Sequence, residues 1–249
     1  MNTDHTIAIL GFNNHKTTLS VIKKIRDIGC QDTILFFDNG SQPSFESLIK
    51  DDNYIYYRKE KNIYVNPAWN EIFDLVKTKY LTLLNNDCFI ESDNYFKEVL
   101  AHMEKNDIVL SSCKTKNISF YNIFTKFLYK IIFLRFKLGS LTYSSVSRRQ
   151  GWLMTINLKK YMLLDYKIPK YLKIWYGDDW IWSQIIKNNL KYALYKNRYA
   201  LHIKSSSSSL IPNIIQEDID NINQYGEWYK EITNKMHSKK WYSRRNRQI

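Results

Sequence analysis

The feature that most constrains the fold is an alternation in the first part of the chain. Apolar runs at Thr6–Leu10 (TIAIL), Thr33–Phe37 (TILFF) and Tyr54–Tyr57 (YIYY) are separated by stretches with helical spacing. Leu19, Ile22 and Ile25 share one helical face, with Gly29 as a stop, and Pro43 opens a second helix carrying Phe45, Leu48 and Ile49. Strand, helix, strand, helix, strand predicts a parallel, doubly wound sheet. In such sheets ligands gather outside the carboxyl ends of the strands.

Those ends are where polar residues concentrate. The first strand runs into Gly11-Phe12-Asn13-Asn14 and the second into Asp38-Asn39-Gly40-Ser41. Asp38 reads either as a carboxylate that holds a ribose or base, or as the cap of a tight Asn-Gly turn. Neither a G-x-G-x-x-G fingerprint nor a Walker A sequence follows the first strand. Asn66–Lys77 predicts a helix with Asn66 as cap and Pro67 in the first turn; Trp69, Ile72, Phe73 and Val76 make its apolar face. It leads into Tyr80–Glu91 (YLTLLNNDCFIE), an apolar run that stops at Asn85-Asn86-Asp87 and resumes at Phe89. That break is either a polar turn between strands or a buried strand delivering a carboxylate and two amides to a site.

Further along, a helix through Phe96, Val99, Leu100 and Met103 precedes a strand at Ile108–Cys113, and Gly151–Ile156 (GWLMTI) reads as a strand returning to the core. Trp175-Tyr176-Gly177-Asp178-Asp179-Trp180 places two adjacent carboxylates at a helix start. Capping and the helix dipole account for one of them; the second, among three aromatics, points to a sugar-lined acid/base site. Lys191–Ile203 supplies one or two strands ending at His202, followed by Lys204 and the serines from Ser205 to Ser209. A long C-terminal helix follows, with Ile215, Ile219, Ile222, Tyr225, Tyr229 and Ile232 on one side.

Charge is distributed unevenly. The net charge is +13, yet Ile108–Leu164 has ten Lys and Arg without an acid, and Ile232–Ile249 has six more. The remainder is close to neutral, at 13 − 16 = −3. Regional basicity suggests an anionic partner, either a membrane surface or nucleic acid, or solvated basic loops. Ile118–Tyr143 mixes bulky apolar residues with Lys126, Lys130, Arg135 and Lys137, which argues against a membrane span and leaves an amphipathic surface segment or a packed lid. Three cysteines without metal spacing, and an N-terminus lacking a signal-peptide pattern, predict a cytoplasmic protein with reduced thiols.

Taken in order, the Asn13 loop, FFDNGS, the Asn66–Asn70 helix start, LLNND, GWLM, YGDDW and HIKSS resemble the family-2 glycosyltransferases with the GT-A fold. The resemblance covers roughly Thr6 to Ser209. It implies an α/β fold with a Rossmann-like, mostly parallel central sheet flanked by helices, here with a basic aromatic insertion and a C-terminal helix. It implies one domain over 1–235, with a nucleotide-sugar half (1–115) and an acceptor half (116–235), before a basic tail (236–249). The activity implied is inverting transfer from a nucleotide-diphospho-sugar donor to a hydroxyl of a saccharide or lipid-linked glycan, with Mn2+ or Mg2+. Donor contacts then fall to Phe12, Asn13, Asp38, Asn70, Asn85, Asn86, Gly151, Trp152 and Ser205. Asp87 and His202 become metal ligands, Asp179 the general base and Asp178 its acidic partner. The chain departs from the family's D-x-D at Asn85, which leaves Asp87 as the main carboxylate ligand. The alternatives are a viral-type DNA glycosyltransferase acting on a hydroxylated base, and a non-catalytic nucleic-acid-binding protein.

Overall fold

The computed structural model describes residues 4–118, 143–144, 151–203 and 212–238. Ser205, most of the basic aromatic segment Ile118–Tyr143 and the end of the tail lie outside them. The strands described are β1 (His5–Gly11), β2 (Thr33–Asp38), β3 (Tyr54–Arg58), β4 (Tyr80–Asn85), β5 (Cys88–Ile90), β6 (Leu110–Ile118), β7 (Tyr143–Ser144), β8 (Leu153–Asn157) and β9 (Tyr192–Ile203). They form one sheet in the order β3-β2-β1-β4-β8-β6-β9-β5, with β7 against β9. The helices are α1 (His15–Asp27), α2 (Val65–Leu75), α3 (Tyr95–Asn106), α4 (Leu158–Tyr161), α5 (Gly177–Lys187), α6 (Pro212–Tyr225) and α7 (Glu227–Ser238).

The apolar runs are continuous because the sheet is covered on both faces. Ile7, Ile9, Ile34 and Phe36 point into a core shared with Val21, Ile22 and Ile25 of α1 and Val99 and Met103 of α3. Ala8, Leu35, Phe37, Leu81 and Leu83 point the other way, onto Trp69, Ile72 and Phe73 of α2 and Trp180, Ile181 and Ile185 of α5. Successive strand residues face opposite sides, so one strand feeds both cores. Each large apolar side chain removed from water contributes about 1.5–3 kcal/mol.

Strand directions decide where the chain's polar ends meet. β1 runs parallel to β2 and β4, with Gly11 beside Asp38 and Leu10 beside Asn85. β8 enters between β4 and β6 antiparallel to both. Its start, next to Gly151 and Trp152, therefore lies at the edge where β4 ends, with Leu84 paired to Leu153. β9 is parallel to β6, so it finishes at the same edge, where His202 pairs with Cys88.

Three details differ from the sequence reading. The helix expected from Pro43 is a single turn, closed by Ile49 N–H donating to the Phe45 carbonyl (3.2 Å). Its residues are held individually: Phe45 is fully buried against Phe36 and His15, and its N–H donates to Asp38. Asn66 is not a cap but lies in the first turn of α2, fully buried, its amide donating to the Trp175 carbonyl (2.9 Å). The single C-terminal helix is two, broken at Gly226, whose N–H closes α6 on the Ile222 carbonyl (2.9 Å). A Cβ at Gly226 would meet that carbonyl oxygen at 2.4 Å.

Candidate active site

The turn after β1 is built from two asparagines in left-handed backbone, Asn13 (φ 51°) and Asn14 (φ 54°). Asparagine tolerates that region better than other side chains carrying a Cβ. Asn13 N–H donates to Ser41 Oγ (2.9 Å) and its side-chain oxygen accepts from Gln42 N–H (2.9 Å), which ties the β1 and β2 loops together. Phe12 stands at the front of this loop, 37% exposed.

Asp38 takes the second of its two readings, holding the turn that follows β2. Its carboxylate is fully buried and accepts from Ser41 N–H (2.8 Å), Phe45 N–H (3.1 Å), Tyr56 O–H (2.6 Å) and Arg58 (2.9 Å). Burial alone would raise this carboxyl; the hydrogen bonds from Ser41, Tyr56 and Phe45 outweigh it and hold the group below its ordinary value. With its oxygens turned inward, Asp38 shapes the loop rather than lining a cleft. Asn39 does the same on the other side, donating to Asn62 and the Tyr64 carbonyl and accepting from Ile63 N–H.

Asn70 is likewise turned away from the strand ends. Its amide donates to the Ile168 carbonyl (2.9 Å) and accepts from Ile168 N–H (2.8 Å), a two-way clasp that fixes the segment before α5. Asn86 donates to Thr18 Oγ1 (2.9 Å) in the first turns of α1.

The remaining candidates converge. At the end of β4, Asn85 N–H donates to the Trp152 carbonyl (3.0 Å). The Trp152 indole stacks on His202, with ring centroids 4.5 Å apart and planes 15° from parallel. His202 Nε2 lies 3.2 Å from Asp87 Oδ1, and both side chains are nearly buried. On the other side of Trp152, a Cβ at Gly151 would lie 3.1 Å from the Asp178 carboxyl, so glycine is what lets α5 approach β8. Asp87, His202, Trp152, Gly151 and Asp178 are thus linked in succession, each beside the next. The indole Nε1 of Trp152 is buried and has no hydrogen-bond partner among the described residues.

Asp178 and Asp179 occupy the first turn of α5. Tyr176, just before it, is in left-handed backbone (φ 63°), which a bulky residue rarely adopts. Burial, and then the neighbouring Tyr229 and Asp179, push the Tyr176 phenol above its usual range, so the Asp179 charge is felt on that side of the loop. Gly177 is required by close packing: a Cβ there would fall 2.0 Å from Asn66 Oδ1.

Asp87 and His202 offer a carboxylate oxygen and an imidazole nitrogen at one point, a donor pair that suits Mn2+ and, less well, Mg2+. Among the described residues no group of three or more His, Cys, Asp or Glu gathers to hold a metal ion. Asp87 and His202 are the residues at this edge that would hold such a cation.

An open, mostly parallel sheet with its polar groups gathered at the carboxyl edge in this way has the architecture of the GT-A glycosyltransferases. The sequence matches the glycosyl transferase family 2 profile over residues 6–167, and the chain belongs to that family. No curated protein matches the sequence. Among solved structures it is similar to GalNAc-T7 crystallised with UDP, GalNAc and Mn2+, at TM-score 0.63 and 14% identity, covering 91% of this chain and 49% of that one. It is also similar to S. aureus TarS 1–349 in complex with UDP-GlcNAc, at TM-score 0.59 and 12% identity over 86% of this chain and 66% of that one. A third is the Pyrobaculum calidifontis mannosyltransferase PcManGT with GDP-Man and Mn2+, at TM-score 0.60 and 8% identity over 82% and 58%. The chain spans about half the length of the GalNAc-T7 structure. At these identities the likeness is one of fold.

Sequence reasoning missed Tyr56, Arg58, Asn39 and Asp218, which hold the loops in place. Their signal in the sequence is weak, because each acts on a segment far from it in the chain.

Proposed function

We propose that the protein transfers a sugar from a nucleotide-diphospho-sugar to a hydroxyl of a saccharide or lipid-linked glycan, with inversion at the anomeric carbon. The observation that carries this reading is the succession of contacts from Asp87 through His202, Trp152 and Gly151 to Asp178. That succession of contacts supports a reading with the diphosphate held by Asp87 and His202 and the acceptor hydroxyl met by the acidic pair. Asp87 and His202 would hold a divalent cation, which neutralises charge developing on the diphosphate. The Phe12–Asn13 loop, Asn85, Asn86, Gly151 and Trp152 serve the donor, with Ser205 as a further contact. Asp38 and Asn70 act indirectly, through the loops they hold.

The chemical step balances simply. The acceptor oxygen forms a bond to the anomeric carbon as the bond from that carbon to the diphosphate oxygen breaks. Asp179 takes the acceptor proton, Asp178 keeps the base oriented against Gly151, and the nucleoside diphosphate leaves with the electron pair. A single displacement inverts the centre. On this reading residues 1–115 form the nucleotide-sugar half, joined by Trp152, His202 and Ser205 from the half 116–235 that receives the acceptor.

The test is a thermal-shift screen of UDP-glucose, UDP-galactose, UDP-GlcNAc and GDP-mannose with Mn2+. One donor at a hundredfold its Kd should stabilise the protein by about 2.7 kcal/mol, or roughly 5–10 °C. Asp179→Asn should keep that stabilisation and lower turnover about 10²–10⁴-fold. Absence of stabilisation by any donor sinks the reading, and unchanged turnover in the variant sinks the base assignment.

A further inference from the structure

The segment Tyr171–Tyr176, beyond the residues matched by the family profile, is held with unusual rigour for a surface loop. Asp218 of α6 is fully buried and accepts three consecutive backbone N–H groups: Lys173 (2.7 Å), Ile174 (2.8 Å) and Trp175 (2.8 Å). From the opposite side, Asn66 of α2 donates to the Trp175 carbonyl (2.9 Å), and its own N–H donates to the Lys173 carbonyl (2.9 Å). Asn221 of α6 holds the Tyr171 carbonyl (2.7 Å). Two bulky residues in left-handed backbone, Tyr64 (φ 67°) and Tyr176 (φ 63°), flank the loop, with Lys173 Nζ 5.9 Å from the centre of the Tyr64 ring.

What this scaffold displays is the Trp175 indole, set edge-on to Tyr176 (ring centroids 6.3 Å apart), with exposed Tyr225 packed on Tyr171 at the other end of the segment. Trp175 is 42% exposed, whereas its aromatic neighbours Tyr176, Trp180 and Tyr229 are packed on one another and on Trp228. An exposed indole costs solvation free energy, and a mobile loop would fold it away. Here a buried carboxylate and a buried amide fix its backbone instead, just ahead of the turn that carries Asp178 and Asp179. Backbone strain that the surroundings over-determine is common where geometry matters for function. A rigid flat surface three and four residues ahead of the two first-turn carboxylates suits one class of ligand in particular: a sugar ring, whose C–H face stacks on an indole while its hydroxyls meet acids.

We infer that Trp175 is the stacking platform for a sugar ring of the acceptor, and that Asp218 is a positioning residue that holds this platform against the acidic pair. The inference rests on the sugar-transfer reading and goes beyond it by making the acceptor a saccharide at the point of attack. It also gives α6 a role in the site, although α6 contributes no group to the chemistry.

The test uses saturation-transfer NMR on the full chain with methyl β-glucoside, methyl β-galactoside, methyl α-mannoside and methyl N-acetyl-β-glucosaminide, needing no donor. At least one should receive saturation from the protein's aromatic protons, mainly on one ring face. Trp175→Ala should abolish that transfer, Trp175→Phe should restore most of it, and Leu163→Ala, at an exposed residue elsewhere, should leave it unchanged. With the same glycoside as acceptor, Trp175→Ala should raise its KM by about tenfold, the scale of one lost aromatic stacking contact. Asp218→Asn should speed amide exchange at Lys173, Ile174 and Trp175 and raise the acceptor KM while the donor-induced thermal shift persists. Glycoside saturation that survives Trp175→Ala, or is absent from the wild type with all four sugars, overturns the platform. Failure of every donor to stabilise the wild type counts instead against the sugar-transfer reading, so the two failures are distinct.

Discussion

At the residue scale, the structure separates carboxylates that hold the fold from those that face the edge. Asp38 belongs to the first kind. Its carboxyl is held below the ordinary value in the folded chain, against about 3.9 when unfolded. A depressed carboxyl contributes stability that is complete above the unfolded value and is lost as pH falls through the folded one. Asp38→Asn should therefore cost about 2–3 kcal/mol at neutral pH, because Arg58 and the Ser41 and Phe45 amides lose a charged acceptor. Urea unfolding from pH 6 down to pH 3 checks the sign: the gap between wild type and variant should close as the solution turns acid. The sequence showed an acid at the end of the second strand but not its orientation. That orientation is set by Tyr56 and Arg58, on β3, 18 and 20 residues further along.

The same scale explains the cysteines. None of the three forms a disulfide and all are buried; burial pushes the Cys30 and Cys113 thiols up to about 12 and the Cys88 thiol well above its ordinary value. Thiolate is the reactive form, so the native protein should not react with a thiol reagent at pH 8, whereas the unfolded chain should titrate three groups. Fast labelling of the folded protein would show that one of these sites opens.

At the scale of elements, the alternation of strand and helix was readable because each strand feeds two cores and so stays apolar throughout. β8 was harder to read. Its apolar run predicts a strand but not its direction, and its direction is what brings Gly151 and Trp152 to the edge where β4 and β9 finish. The motif order supplied what periodicity did not. The clasp between α2 and the loop before α5 had no sequence signature, since Asn66 and the Trp175 carbonyl are 109 residues apart and Asn66 looks like an ordinary cap. The approach of β8 to α5 yields a prediction of its own. In Gly151→Ala the new methyl would meet Asp178 at 3.1 Å, a contact relieved by a shift of a few tenths of an ångström. Stability should change by less than about 1–3 kcal/mol, the usual range for overpacking, while turnover falls because the acidic pair is displaced. Thermal melts beside steady-state rates separate these effects. A variant that melts early and turns over normally would place Gly151 in the fold alone.

At the scale of the whole molecule, the charge pattern and the site point in different directions. The candidate site offers the acids Asp87, Asp178 and Asp179, while the excess of positive charge belongs to Ile108–Leu164 and to the last 18 residues. Among the described residues no helix is long and apolar enough to cross a membrane. If the acceptor is a lipid-linked glycan, the basic segments have a simple use: they bring the edge to an anionic surface. Each Lys or Arg close to such a surface contributes about 1 kcal/mol, and the effect fades within a Debye length. Deleting residues 239–249 removes five of the six basic residues of that terminal segment, so sedimentation with phosphatidylserine vesicles should drop by more than tenfold. Neutral phosphatidylcholine vesicles should bind neither form. Duplex DNA separates the alternative. Tight binding to it, weakening by about 10³-fold or more between about 50 and 200 mM salt, would indicate release of many counterions and favour a nucleic-acid acceptor. Retention on anionic vesicles at about 150 mM salt, with little DNA bound, is the outcome that fits a saccharide acceptor carried on lipid.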